Sequence, residues 1–186
     1  TTGIRQIRGT VVASCDDDDL WHRTKLERQV SLLLDQPDLL VVGSGIRLIL
    51  PGGRVRLWPG RSERVSRRSL LRNRVKELHS STLVMRRDAF AKVGDYDEEL
   101  PGGYAEDYDW VLRASRVGRI GIVKEPLADI SKVGQSYYTG RAENAVVALQ
   151  AFLDKHPEIE TERRGHARIL GQIAFNRAAA GDRSGA

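Results

Sequence analysis

Four aspartates stand in a row, Asp16 to Asp19, directly after the β-branched run GTVVASC at residues 9–15. That run reads as a short buried strand, so the carboxylates cluster at a strand end. Adjacent carboxylates repel one another unless something positive lies among them. A hard divalent cation that prefers oxygen ligands, Mn²⁺ or Mg²⁺, is the natural partner. In an extended segment alternate side chains share a face, so Asp16 and Asp18 are expected to converge while Asp17 and Asp19 point elsewhere. The plainer alternative is a solvated acidic loop or a helix N-cap, where Asp19 would sit well. An EF-hand is excluded, because its sixth position lacks glycine.

The rest of the chain alternates strand and helix signals. Leu26, Val30 and Leu33 predict an amphipathic helix over residues 20–34, stopped by Gln36-Pro37-Asp38. Residues 39–44 (LLVVGS) read as a second buried strand, and 46–50 with 54–58 as a hairpin around Pro51-Gly52-Gly53. Residues 61–78 are basic and predict a helix. A strand at 82–85 and a short helix at 87–93, closed by Gly94, follow. After an acidic turn and Pro101-Gly102-Gly103 comes a helix over 105–117, then strands at 119–123 and 126–130. Helices near 141–155 and 159–180 finish the chain, with a loose tail at 181–186. The pattern predicts an α/β sandwich with a helical C-terminal appendage.

Glu106 and Asp107 open the 105–117 helix just after two glycines, which let backbone approach a ligand closely. A carboxylate there can serve as a general base. The ordinary alternative is that acidic residues favour a first helical turn because of the helix dipole. Asp109 and Arg113 make a simple i, i+4 pair.

Composition narrows the class. Hydrophobic residues at 40% and charged residues at 30% fit a globular chain and exclude a disordered one. A net charge of +5 favours anionic partners without choosing among them. The lone cysteine, Cys15, excludes an internal disulfide framework and fits a reducing, cytoplasmic compartment. No apolar run has the length of a membrane span, and no signal peptide is visible.

The two acidic motifs acquire meaning together. The segment ASCDDDDLWHRTKLERQVSLLLDQPDLLVVGSGI resembles the metal-binding region of family-2 glycosyltransferases: a strand, a DxD-type motif, Leu-Trp, a Lys-Leu-Glu-x-Gln helix and a Pro-Asp turn. The segment STLVMRRDAFAKVGDYDEELPGGYAEDYDWVLRASRVGRIGIVKEPL is similar to that family's acceptor side, with Arg-Arg, Gly-x-Tyr-Asp-Glu and Glu-Asp-Tyr-Asp opening a helix. The resemblance covers most of residues 9–130. It implies a partial GT-A sandwich over residues 1–135, with a mixed sheet, and a C-terminal helical appendage over 136–186.

It further implies inverting, metal-dependent transfer of a sugar from a nucleotide-diphosphate sugar to a saccharide or lipid-linked acceptor, as in polysaccharide biosynthesis. Asp18 and Asp16 would hold the metal, with Asp16 also contacting the donor. Asp17 and Asp19 would support them. Asp107 would be the base, with Glu106 beside it, and Gly102 and Gly103 would border the donor sugar. Peripheral contact with the inner face of a membrane and a homodimer are compatible with this reading.

One departure matters. Only fifteen residues precede Asp16, too few for the strand–helix repeats that hold the nucleotide in the family. The chain starts at Thr1, and its single methionine is Met85. The expectation is therefore a chain lacking the nucleotide-binding half, with an uncovered sheet edge and weak donor binding on its own. A non-catalytic binding or scaffold piece is the alternative function. Nucleic-acid binding through the basic stretch ranks last, because interleaved aromatics are missing. The basic stretch itself is expected to be a solvated helix face. Trp21 and Trp58 read as packing residues and Cys15 as a small buried one. His79 reads as structural or as lining the acceptor cleft, and Lys132 as within reach of the diphosphate.

Overall fold

The computed structural model describes residues 2–133 and 142–181. A short helix, α1 (Thr2–Gln6), precedes strand β1 (Val11–Ala13). There follow β2 (Leu20–Trp21), α2 (Lys25–Asp35), the long β3 (Leu39–Leu50), β4 (Arg54–Trp58), β5 (Arg64–Val65) and α3 (Arg67–Arg72). Then come β6 (Val84–Arg86), α4 (Asp88–Val93), α5 (Glu106–Val117), β7 (Arg119–Ser131), α6 (Ala142–Lys155) and α7 (Arg163–Ala179). The strands form one mixed sheet in the order β1-β6-β3-β7-β2, with β4 added to β3 and β5 to β7. The β3–β7 pairing is parallel, and the other pairings are antiparallel. Strand β1 pairs only with β6 among the described residues, so it forms one edge.

Strand alternation sorts the sheet's side chains onto two faces. Val41 and Met85 join the larger apolar cluster, with Trp110, Leu112 and Phe152 from the helices α5 and α6. Their neighbours Val42 and Val84 join the cluster under α2, with Leu33 and Leu39. The sheet is thereby covered on both faces, as the α/β reading expects. Trp110 is fully buried and packs its ring 5.0 Å from that of Phe90. Tyr108 stacks on Phe152 at 4.9 Å, so α5 and the C-terminal helices share one apolar cluster. The expected boundary at 135/136 and the expected helix start at Arg141 lie outside the described residues, as does the tail beyond Gly181.

Several element boundaries differ from the sequence reading. The helix expected from residue 20 starts at Lys25, because Leu20 and Trp21 pair with Asp129 and Ala128 of β7. The two strands expected on either side of Gly45 are one strand, β3, and those on either side of Lys124-Glu125 are one strand, β7. The parallel register shifts at Ser44/Gly45 and Gly45/Ile46, so a paired irregularity replaces a break. The predicted basic helix over 61–78 is not one element. Arg64 and Val65 pair with Gly121 and Ile120, Ser66 caps a six-residue helix, and Asn73 ends it. Tertiary pairing with β7 overrides local helix propensity here.

Gly43 explains how the next segment reaches the sheet. A Cβ at that position would lie 2.1 Å from the Glu77 carbonyl oxygen. The 3₁₀ turn Lys76–Leu78 therefore crosses β3 at backbone contact distance, and the following turn, Ser80–Thr82, reaches the strand-end aspartates. Gln29 of α2, fully buried, donates from Nε2 to the carbonyls of Val42 at 2.8 Å and Thr82 at 2.7 Å. Helix, strand and turn are locked by one side chain.

Candidate active site

The four aspartates do not stay extended. Asp19 N–H donates to the Asp16 carbonyl at 3.3 Å, so the segment is a tight turn with Asp17 and Asp18 exposed at its tip. The expected alternation is thereby corrected. The carboxylates brought together are Asp16 and Asp19, with His79 as third member, their ligand atoms within 4.8 Å of one another. Asp17 and Asp18 stand outside that trio. A turn rotates successive side chains differently from a strand, which periodicity could not show.

Asp19 is an anchor. Its carboxylate is 2% exposed, accepts from Ser81 Oγ at 2.5 Å and from the Ser131 N–H at 2.9 Å, and lies 3.7 Å from His79 Nδ1. Asp16 remains exposed. Its carboxylate accepts from Ser80 Oγ at 2.7 Å, and its N–H donates to Ser81 Oγ at 3.0 Å. Trp21 Nε1 donates to the Ser81 carbonyl at 2.8 Å, and the residue packs against Ile46, Ala128 and Ile130, the packing role expected of it. Ser80 and Ser81 thus hold the whole acidic turn. Cys15, expected to be buried, is exposed beside the turn; burial of its sulfur and the carboxylates of Asp19 and Asp16 push its thiol pKa up.

The second acidic group opens α5. Ala105, its N-cap, adopts a left-handed φ of 67°, unusual for a residue with a Cβ. That backbone turn sets the start of the helix after the left-handed glycines Gly102 and Gly103. Gly102 lies against Asn144 of α6. Asp107 is 9% exposed, and Arg74 Nη2 donates to both its oxygens, at 2.8 and 2.6 Å. Burial, followed by the neighbouring Asp107 and Asp16 charges, raises the Glu106 pKa. Asp109 faces the other way. It is fully buried and bonded to Arg113, Lys155 and His156.

His79 connects the two acidic groups. Burial pulls its pKa down, opposed by the carboxylates of Asp19, Asp16 and Asp107, while the Lys132 ammonium adds to the lowering. One imidazole therefore feels both carboxylate sets and Lys132, and Glu106 feels Asp16. Arg74 and the Ser80–Ser81 pair were not singled out from sequence. Arg74 is embedded in a run of similar cations, and only its contact with Asp107 distinguishes it.

With this geometry in place, comparison with known proteins is decisive. The family model described as glycosyl transferase family 2 matches residues 1–94, just over half of the chain. The chain belongs to glycosyl transferase family 2. The matched stretch contains the aspartate turn, α2, β3 and the His79 segment, while α5 lies beyond it.

An uncharacterized glycosyltransferase of Rickettsia typhi is 29% identical over 156 residues, covering 81% of this chain and 48% of the relative. The amylovoran biosynthesis glycosyltransferase AmsB of Erwinia amylovora is 29% identical over 138 residues, covering 70% and 45%. The chain thus spans about half the length of these curated relatives. Among solved structures, S. aureus TarS 1–349 in complex with UDP-GlcNAc superposes with a TM-score of 0.61 at 16% identity, covering 95% of this chain and 52% of that one. The mannosyltransferase PcManGT of Pyrobaculum calidifontis, in complex with GDP-Man and Mn²⁺, gives a TM-score of 0.56 at 17% identity, covering 98% and 53%. The mixed sheet with C-terminal helices is the GT-A fold of these enzymes. Among the described residues no helix is long and apolar enough to cross a membrane.

Proposed function

We propose that this family-2 chain is the metal-binding and acceptor-side part of an inverting glycosyltransferase that uses a nucleotide-diphosphate sugar. The observation that carries the reading is the gathering of Asp16, Asp19 and His79, their ligand atoms within 4.8 Å of one another, beyond the end of β1. The donor set suits a hard cation: two of these three ligands are carboxylates, and the exposed carboxylate of Asp18 stands on the same turn. A divalent cation bound there would offset charge developing on the departing diphosphate.

The chain's own residues supply the rest. Asp107 accepts the proton of the acceptor hydroxyl, whose oxygen then forms the new bond to the anomeric carbon as the bond to the diphosphate breaks on the opposite face. Configuration inverts in that single displacement. Arg74 orients both oxygens of Asp107, and each keeps a lone pair with which to take the hydroxyl proton. Glu106, with its raised pKa, lies beside Asp107 as a hydrogen-bonding partner for acceptor hydroxyls.

The test combines Mn²⁺ titration with transfer assays using a panel of UDP- and GDP-sugars. Asp107→Asn should reduce transfer by about a hundredfold or more, the usual range for a general base, with donor affinity nearly unchanged. Asp18→Ala should weaken Mn²⁺-dependent donor binding. Full transfer by Asp107→Asn would refute the assignment of the base.

A further inference from the structure

The segment between β4 and the Lys76–Leu78 turn does not form the expected solvated helix face. It walls a cavity of about 350 Å³, lined by five cationic side chains, Trp58 and one carboxylate, Glu77. That volume suits a single sugar-sized group. Two of the cations are turned to partners elsewhere: Arg64 to Asp38 at 3.0 Å and Arg72 to Glu162 at 3.3 Å. Arg61 and Lys76 pair with no carboxylate among the described residues. Both lie over the Trp58 ring, Lys76 Nζ at 3.7 Å and the Arg61 guanidinium at 5.2 Å from its centroid. Glu77 does not neutralise them; it is buried, and its Oε1 accepts from the Arg61 backbone N–H at 3.4 Å. The fifth cation is Arg74, the residue that holds Asp107.

We propose that this cavity binds an anionic group of the acceptor, a phosphate or a sugar carboxylate, and so selects acceptors that carry negative charge. Arg61 and Lys76, held beside the Trp58 ring, supply the cationic donors for the anion. Arg74 belongs to both the cavity wall and the Asp107 pair: its Nη2 holds Asp107, so an anion seated in the cavity would lie next to the guanidinium that orients the base. The acceptor role rests on the function proposed above, whereas anion binding by the cavity does not.

Binding can be read by tryptophan fluorescence of the purified chain without metal or donor. Glycerol 3-phosphate and glucuronate serve as probes, with glucose as neutral control. Trp58→Phe identifies the reporting ring. Saturable, salt-sensitive binding of the two anions, and none of glucose, is expected. A preference for one anion separates a phosphate-bearing from a carboxylate-bearing acceptor. The double variant Arg61→Gln/Lys76→Gln should lower anion affinity by at least about tenfold through loss of two charge-assisted contacts. Arg56→Gln, which lies near Trp58 at 5.3 Å but does not line the cavity, should leave it within about twofold, as a screened surface charge would. Anion binding that survives the double variant, or equal response to glucose, overturns the proposal. Anion binding by this chain, with no transfer to any acceptor by the protein extended to the full length of its relatives, would instead retain the cavity and refute the enzymatic reading.

Discussion

Replacing Asp109 by Asn probes how firmly the C-terminal helices are tied to the helix that carries the candidate base. The carboxylate is fully buried and meets Arg113 Nη2, Lys155 Nζ and His156 Nε2, each at 2.8 Å. Burial alone would raise its pKa, but these three partners hold it well below the usual value of 3.8. Removing one member of a buried charge network costs roughly 3–5 kcal/mol. Asn keeps one acceptor oxygen, and Arg113 and Lys155 remain 18% and 30% exposed, so the lower end applies. A loss of about 3 kcal/mol corresponds to a Tm lower by roughly 6–12 °C for a chain of this size.

Urea unfolding measures the difference directly. The exposed Asp88–Lys92 pair, 58% and 49% accessible, is the control, and Asp88→Asn should change stability by at most roughly 0.5 kcal/mol. The pH dependence has a definite sign. The folded-state pKa is depressed, so the stabilisation is present above the unfolded value of 3.8 and disappears as pH falls through 3.8 toward the folded value. The gap between wild type and Asp109→Asn should therefore be flat at neutral pH and close in acid. A loss below about 1 kcal/mol at pH 7 would refute the claim that this buried carboxylate is the shared partner that ties Arg113, Lys155 and His156 together.

Two further substitutions test how the site is built. Gly43→Ala would place a methyl 2.1 Å from the Glu77 carbonyl oxygen. It should destabilise by roughly 1–3 kcal/mol and displace His79, seen as a shifted imidazole resonance by NMR. Asp19→Asn and Asp18→Asn should separate, because Asp19 is buried beneath the turn and Asp18 is exposed on it. The first should lower the thermal midpoint, while the second should leave the midpoint unchanged and weaken Mn²⁺ binding measured by calorimetry.

Much of the architecture was legible in the chain itself. The β-branched runs, the 3.6-residue periodicity near Leu26 to Leu33, the Pro51-Gly52-Gly53 turn and the Gly94 stop signal are local, and local sterics and hydrophobic patterning fix them. The two acidic motifs were legible for the same reason: each is contiguous, and each sits at the end of an element. What failed was the extended reading of the aspartates and the single basic helix over 61–78. Both were decided by partners distant in sequence: Ser80 and Ser81 gather the aspartates into a turn, and β7 captures Arg64 and Val65.

By itself, then, the order of residues determined that an α/β sheet would carry carboxylates at a strand end and at a helix start. Tertiary structure alone decided that His79 lies in the field of both, that Arg74 among many similar cations holds Asp107, and that Arg61 and Lys76 flank Trp58 in a cavity. The physical reason is range. Propensity and periodicity act over a few residues, whereas charge pairing and cavity walls depend on which segments the sheet and its close-packed glycines bring within a few ångströms.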